Sequence, residues 1–211
     1  MRCVPEQKNA RAVTRIIAAL FAGSAVFYGI PIGARAAGIR VYAWIFNLLT
    51  FACLIGAIFL LVRYRMTGFQ YIVRTKRETE DSGLAEAYAG GARLNVKNLP
   101  PETLDFVVIR SQGARPGAME CVLGLEQLIA VTPVCRKPKG KSAKNGVTKA
   151  ALRDRYAKEG FIYYDYTLTF LWDEALALVF VDGNRTVGVV IEPDEVMRAY
   201  FTALKPEKKD G

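Results

Sequence analysis

The stretch VYAWIFNLLTFACLIGAIFLLV, residues 41–62, runs 22 residues without a charge between Arg40 and Arg63. A bilayer hydrocarbon core of about 30 Å takes about 20 apolar residues of α-helix, so this run is long enough to cross it. Its one amide is Asn47. A second uncharged run, Ile16 to Ala34, holds 19 residues between Arg15 and Arg35. Gly23, Gly29, Pro31 and Gly33 lower its intrinsic helix propensity. In lipid such residues are accommodated where another helix packs on them. Ala25, Gly29 and Gly33 follow small-xxx-small spacing, and Ala52 and Gly56 offer a matching stripe. The expectation is a transmembrane hairpin, with helices at about 16–34 and 41–62, whose turn is Arg35 to Arg40. A rival reading makes the first run a cleaved signal peptide, with Lys8, Arg11 and Arg15 as its basic start and Ala34-Arg35-Ala36 as its cleavage site. Against it, the apolar run exceeds the 7–15 residues of a usual signal core, and Arg35 falls inside the cleavage motif.

Charge places the hairpin. Residues 1–63 carry seven Lys/Arg against one acid, Glu6, so two thirds of the net charge of +9 lies around the apolar runs. Four basic residues precede the first run, and Arg63, Arg65, Arg74, Lys76 and Arg77 follow the second, while the turn has two. Positive-inside bias therefore predicts an integral protein of the cell membrane with both termini in the cytoplasm. Cys3, Cys53, Cys121 and Cys135 form no CxxC pair or framework, which suits free thiols in a reducing compartment.

After the hairpin the texture changes. Residues 64–92 read as a connector, in which Phe69 to Val73 is a short strand and Gly90-Gly91 a breaker. From residue 93 to 204 the pattern is β-rich. Leu104 to Arg110 is a strand ended by Gln112-Gly113, and Ala118 to Leu123 is its partner. Ile129 to Val134 is another strand, and Phe161 to Phe170 alternates as an aromatic-rich antiparallel one. Leu176 to Val181 and Thr186 to Ile191 flank Asp182-Gly183-Asn184, the turn chemistry of a β-hairpin. Glu192-Pro193-Asp194-Glu195 opens a helix with acids at its positive end. Val196, Tyr200 and Leu204, joined by Met197 and Phe201, give that helix an apolar face to dock on a sheet. Residues 205–211 are a polar tail.

The segment Cys121 to Val131, with Leu123, Leu125, Leu128 and Val131, is similar to the strand–turn–strand signature of bacterial pleckstrin-homology-like domains. The closing hairpin and the Glu192-Pro193-Asp194 helix match the end of that fold. The resemblance covers residues 65–204 in order of elements and rests on degenerate apolar patterns. It implies an antiparallel, partly open β-barrel of six or seven strands closed by a C-terminal amphipathic helix. The whole chain is then a transmembrane helical hairpin plus an α+β cytoplasmic domain. Such domains are mostly non-enzymatic modules that bind lipid or protein. The chain departs from the pattern in Cys135 to Gly160, which is longer than the usual loop.

That insertion, residues 135–160, is the most distinctive polar stretch. Arg136, Lys137, Lys139, Lys141, Lys144, Lys149 and Arg153 are its candidate contact residues, with Arg155 and Lys158 beyond them. Its first half reads as a loop and Thr148 to Lys158 as a short helix, with Leu152 and Tyr156 on one side and Gly160 as its cap. Near an anionic leaflet each Lys or Arg contributes about 1 kcal/mol of attraction. The bland alternative is a solvated insertion. Nucleic acid is not expected, because no aromatics are interleaved for base stacking.

Composition removes several chemistries. With no histidine, Ser-His-Asp and Cys-His nucleophile activation, HExxH zinc sites and C2H2 fingers are impossible. Gly140-Lys141-Ser142 lacks the earlier glycine of a phosphate loop, since Cys135 stands there, and Ala143-Lys144-Asn145-Gly146 follows where a helix should start. The carboxylates Asp165, Asp173, Glu174, Asp182, Glu192, Asp194 and Glu195 fall at turns or helix starts, where capping accounts for them. Oxygen-only metal binding would lack an EF-hand pattern. No cofactor is expected. The sequence reading is a non-enzymatic, membrane-anchored module whose basic loop contacts anionic phospholipid or a membrane protein. The alternative is an accessory subunit or assembly factor of a larger membrane complex.

Overall fold

Two long apolar runs and a β-rich remainder separate physically, since helices can satisfy their backbone in lipid while open sheets cannot. A computed structural model of the chain describes residues 1–77, 99–113, 115–135, 147–156, 160–170 and 174–204. It divides into two compact units, Gln7–Thr67 and Met1–Glu6 with Gly68–Gly211.

The first unit is the helical hairpin. Helix α1 spans Ala10–Ala36 and α2 spans Ala43–Leu61, which continues as a π-helical turn over Val62–Met66. Both are long and apolar enough to cross a membrane. The reversal is made at Gly38, whose φ of +74° is a left-handed conformation that glycine adopts without a Cβ penalty.

The second unit is α+β. Its strands are β1 (Arg2–Cys3), β2 (Thr67–Thr75), β3 (Leu104–Gln112), β4 (Arg115–Gly124), β5 (Leu128–Cys135), β6 (Ile162–Asp165), β7 (Glu174–Asp182) and β8 (Arg185–Ile191). Helix α3 is Lys149–Tyr156 and α4 is Glu195–Ala203. The strands form two four-stranded sheets, in the orders β1-β2-β3-β4 and β5-β7-β8-β6. Among the described residues no barrel closes.

Side-chain alternation explains the layering. Leu176, Leu178 and Phe180 of β7 join Val187, Val189 and Ile191 of β8 in the main core, against Tyr71, Leu104, Phe106 and Val108 of the other sheet. Phe106 stacks on Phe180 at 6.2 Å and meets Phe201 of α4 edge-on at 5.6 Å. The other face of β7, Ala175, Ala177 and Val179, forms a second cluster with Val134, Val190 and Leu152 of α3. Small alanines there let the helix approach the sheet closely. Strand β7 is therefore buried on both faces, the reason its sequence is a continuous apolar run and not an alternating one.

Particular elements differ from the sequence reading. The β7–β8 hairpin turns through two residues, Gly183 and Asn184, with Gly183 at φ +59° and Asp182 opposite Arg185. The aromatic strand expected over 161–170 ends at Asp165 and pairs with β8 in parallel. Its end has a local cause. The Asp165 carboxylate accepts the Thr167 N–H at 3.0 Å and the Thr167 hydroxyl at 2.6 Å, an Asx-type turn that competes with the sheet ladder. Direction along a sheet leaves no mark on the alternation, so the parallel pairing was not readable. Helix α4 starts at Glu195, later than the expected opening at Glu192: Asp194 is its N-cap, its Oδ1 accepting the Met197 N–H at 2.7 Å, and Pro193 lies before the helix. Its buried residues are Met197 and Phe201, with Tyr200 and Leu204 partly buried, while Val196 faces outward. Residues 68–75, expected in the connector, and residues 1–6, expected in an N-terminal segment grouped with the hairpin over 1–63, both belong to the α+β unit.

Candidate membrane anchor and basic surface

Each helix of the hairpin hides little and shows much. Val13, Ile17, Ser24 and Pro31 are the buried residues of α1, and Ala57 is that of α2. The contact is lined where the chain is small: a Cβ built on Gly56 would lie 3.7 Å from Leu20 Cδ1, and one on Gly23 would lie 3.9 Å from Cys53 Sγ. The seam expected along Ala25, Gly29 and Gly33 is not this contact. Those three residues are exposed, and nothing lies within 4 Å of a Cβ at Gly29 or Gly33.

The outward surface is apolar, with Leu48, Phe51, Ile55 and Phe59 of α2 all at least 60% exposed. A water-soluble helix pair would present charge there. Hydroxyls within the helices bond back to their own backbones. Thr14 Oγ1 donates to Ala10 O at 2.8 Å, Ser24 Oγ to Phe21 O at 2.7 Å and Thr50 Oγ1 to Phe46 O at 2.9 Å. No buried hydroxyl need face hydrocarbon unpaired. Aromatics mark the turn end, with Tyr42 75% and Trp44 66% exposed. At the other end Arg63 lies over the Tyr64 ring, 5.5 Å from its centroid. Amphipathic rings and long cations of this kind suit the headgroup level.

The basic insertion is held at both ends. Cys135 N donates to Val147 O at 3.1 Å, and Val147 N donates to Pro133 O at 2.9 Å, so the chain leaves and re-enters side by side at the β5 edge. Arg136, Lys137, Lys139, Lys141 and Lys144 lie outside the described residues. Helix α3 follows, its first turn capped by Thr148 Oγ1, which accepts the Ala151 N–H at 3.2 Å. Leu152 is fully buried against the sheet, and Arg153 is exposed.

Lys149 has an intramolecular role. Its ammonium pairs with the Asp165 carboxylate and sits 5.3 Å from the centre of the Tyr163 ring. Burial acts to raise the Asp165 pKa, but the Lys149 and Thr167 hydrogen bonds outweigh it and hold the carboxyl below its ordinary value. Burial and the neighbouring Asp165 charge push the Tyr163 hydroxyl upward. Of the seven candidate contact residues, the structure thus places two: Lys149 engaged with β6 and Arg153 facing outward.

A polar cluster that the sequence reading did not single out joins distant segments. The Tyr71 hydroxyl donates to Tyr166 O at 2.8 Å and accepts the Glu192 N–H at 3.3 Å. Glu192 Oε2 accepts the N–H groups of Leu168 at 2.6 Å and Thr169 at 2.8 Å. Burial raises the Tyr71 hydroxyl far above its ordinary pKa, so it stays protonated. This cluster satisfies backbone groups of Tyr166, Leu168, Thr169 and Glu192. Among the described residues no group of three or more His, Cys, Asp or Glu side chains could hold a metal ion. No family model, no curated protein and no solved structure matches the chain.

Proposed function

We propose that the chain is a membrane-anchored, non-enzymatic module whose helical hairpin crosses the cell membrane twice and whose α+β unit lies in the cytoplasm. The observation that carries this reading is the outward face of the hairpin: large apolar side chains over its length, with Tyr42 and Trp44 at one end and Arg63 and Arg65 at the other. Trp44 and Arg63 are nineteen positions apart, a rise of about 28 Å at helical pitch, close to the hydrocarbon thickness. The Lys/Arg excess outside the turn supports a cytoplasmic location for both termini. The α4 helix buried against two sheets supports the pleckstrin-homology-like reading of the unit, and with it a binding role.

In this reading the contact device is the basic segment between Cys135 and Val147, continued by Arg153 on α3, and its ligand is anionic phospholipid. The test uses the full chain in nanodiscs of neutral or of anionic lipid. Deuterium uptake over residues 135–147 is expected to fall in anionic discs, to recover at high salt, and to lose this dependence when Lys137, Lys139, Lys141 and Lys144 are changed to Glu. Equal uptake in both lipids would overturn the lipid contact.

A second reading, an accessory subunit of a larger membrane complex, is favoured by one observation. Ala25, Gly29 and Gly33 face outward with open space above the two glycines, which suits close approach by a further helix. Co-purification of a membrane partner in mild detergent, lost in Gly29→Leu, would support it.

A further inference from the structure

Strand β1 is two residues long, yet it is built into the α+β unit. The Met1 amine donates to Val73 O at 2.6 Å, and Val73 N donates to Met1 O at 2.8 Å. Arg2 lies opposite Ile72, and Cys3 lies opposite Tyr71. Cys3 is 3% exposed within the main core, and its Sγ accepts the Asp194 N–H at 3.3 Å, one residue before α4. This short strand thus touches both the edge of β2 and the start of the helix that closes the core. Between Glu6 and Gly68 the chain is the whole hairpin, which makes the hairpin an insertion into one sheet.

We infer that Met1–Glu6 is a clasp that completes the α+β unit only when the crossing made by α2 is matched by one made by α1. Strands exchange backbone hydrogen bonds only on one side of a bilayer. β1 and β2 therefore require an even number of crossings between them. A chain whose α1 failed to cross would hold β1 about 30 Å of hydrocarbon away from β2. The Val73 N–H and C=O and the Asp194 N–H would then lose their partners, and the cavity filled by Cys3 would open. Removal of α1 as a signal peptide would have the same effect. Correct insertion and folding of the unit are in this way a single event. The inference rests on the membrane-anchor reading above.

The test is cross-strand oxidation of the full chain in membranes. In a background of Cys3→Ala, Cys53→Ser, Cys121→Ser and Cys135→Ser, the pair Arg2→Cys with Ile72→Cys replaces a non-hydrogen-bonded position. Such a position brings Cα atoms to about 4.5 Å, within disulfide range. A control pair, Asp182→Cys with Arg185→Cys, reports on the local β7–β8 hairpin. The expected result is oxidation of both pairs. Adding Phe21→Lys and Val26→Lys on the exposed side of α1 is expected to abolish the first cross-link and spare the control. A first pair that stays reduced while the control oxidises would overturn the clasp. Oxidation undiminished by the charged α1 would overturn its dependence on crossing. Alkaline carbonate extraction reads the anchor separately: a chain retained in the pellet with no first cross-link fails the clasp alone. A chain released with its cross-link intact fails the anchor and the crossing requirement, leaving only the strand pairing.

Discussion

The Tyr71 hydroxyl donates to the Tyr166 carbonyl at 2.8 Å, a bond between residues 95 apart that joins the first sheet to the segment leaving β6. The same oxygen accepts the Glu192 N–H, so one side chain serves two backbone groups on two other segments. A buried donor and acceptor left without partners cost more than the bond contributes. Tyr71→Phe is therefore expected to destabilise the unit by about 1–3 kcal/mol with the ring packing kept. The urea midpoint of the detergent-solubilised chain measures this. An unchanged midpoint would mean that the two groups find other partners.

Asp165 supplies a pH dependence. Its carboxyl sits below the ordinary value because the Lys149 and Thr167 hydrogen bonds outweigh burial. A depressed folded pKa contributes stability that is present above the unfolded value of about 4 and lost as pH falls through the folded one. Asp165→Asn should lower stability near neutral pH and flatten the acid side of the stability profile. Unfolding midpoints at pH 3 and pH 6 for both proteins give the comparison; parallel profiles would remove Asp165 from the acid transition.

Gly188 of β8 lies beneath the Phe161 ring, and a Cβ there would overlap it. That ring also stacks with Tyr156 of α3 at 5.7 Å, so moving it disturbs the helix contact. Gly188→Ala is expected to cost about 1–3 kcal/mol, as overpacking does. Adding Phe161→Leu should recover part of the loss, and a double variant no more stable than Gly188→Ala would count against the ring as the cause.

The two faces of α4 should answer differently. Phe201 is fully buried and meets Phe106 edge-on, whereas Val196 is 53% exposed. Phe201→Ala is expected to cost about 3–5 kcal/mol, by lost transfer energy and a residual cavity. Val196→Ala should stay within about 0.5 kcal/mol. Thermal unfolding of the pair decides it, since comparable losses would mean that α4 docks through another face.

Local chemistry was enough to read several elements. The uncharged runs mark the apolar middles of α1 and α2, because a span long enough for a bilayer needs length and apolarity before it needs a partner, although α1 extends beyond its run to Ala10 and Ala36. Gly183-Asn184 makes a two-residue turn, and Asp194 caps α4, through interactions that span three or four residues. Even the double-sided burial of β7 is written in its unbroken apolar run.

Tertiary structure alone decided what no local pattern carries. Arg2-Cys3 is too short to show periodicity, and it becomes a strand only because β2 offers an edge and the core offers Cys3 a place. The Ala25-Gly29-Gly33 spacing looks like a helix contact, but which stripe meets α2 depends on helix rotation, and the contact fell to Gly23 and Gly56 instead. Lys149 reads as one more cation in a basic run, yet the fold of β6 brings Asp165 beneath it. Sequence sets which residues must leave water and how each turn closes, because those are short-range energies. Sheet order, strand direction and the partner of each charge follow from how distant segments satisfy one another's apolar faces and backbone groups.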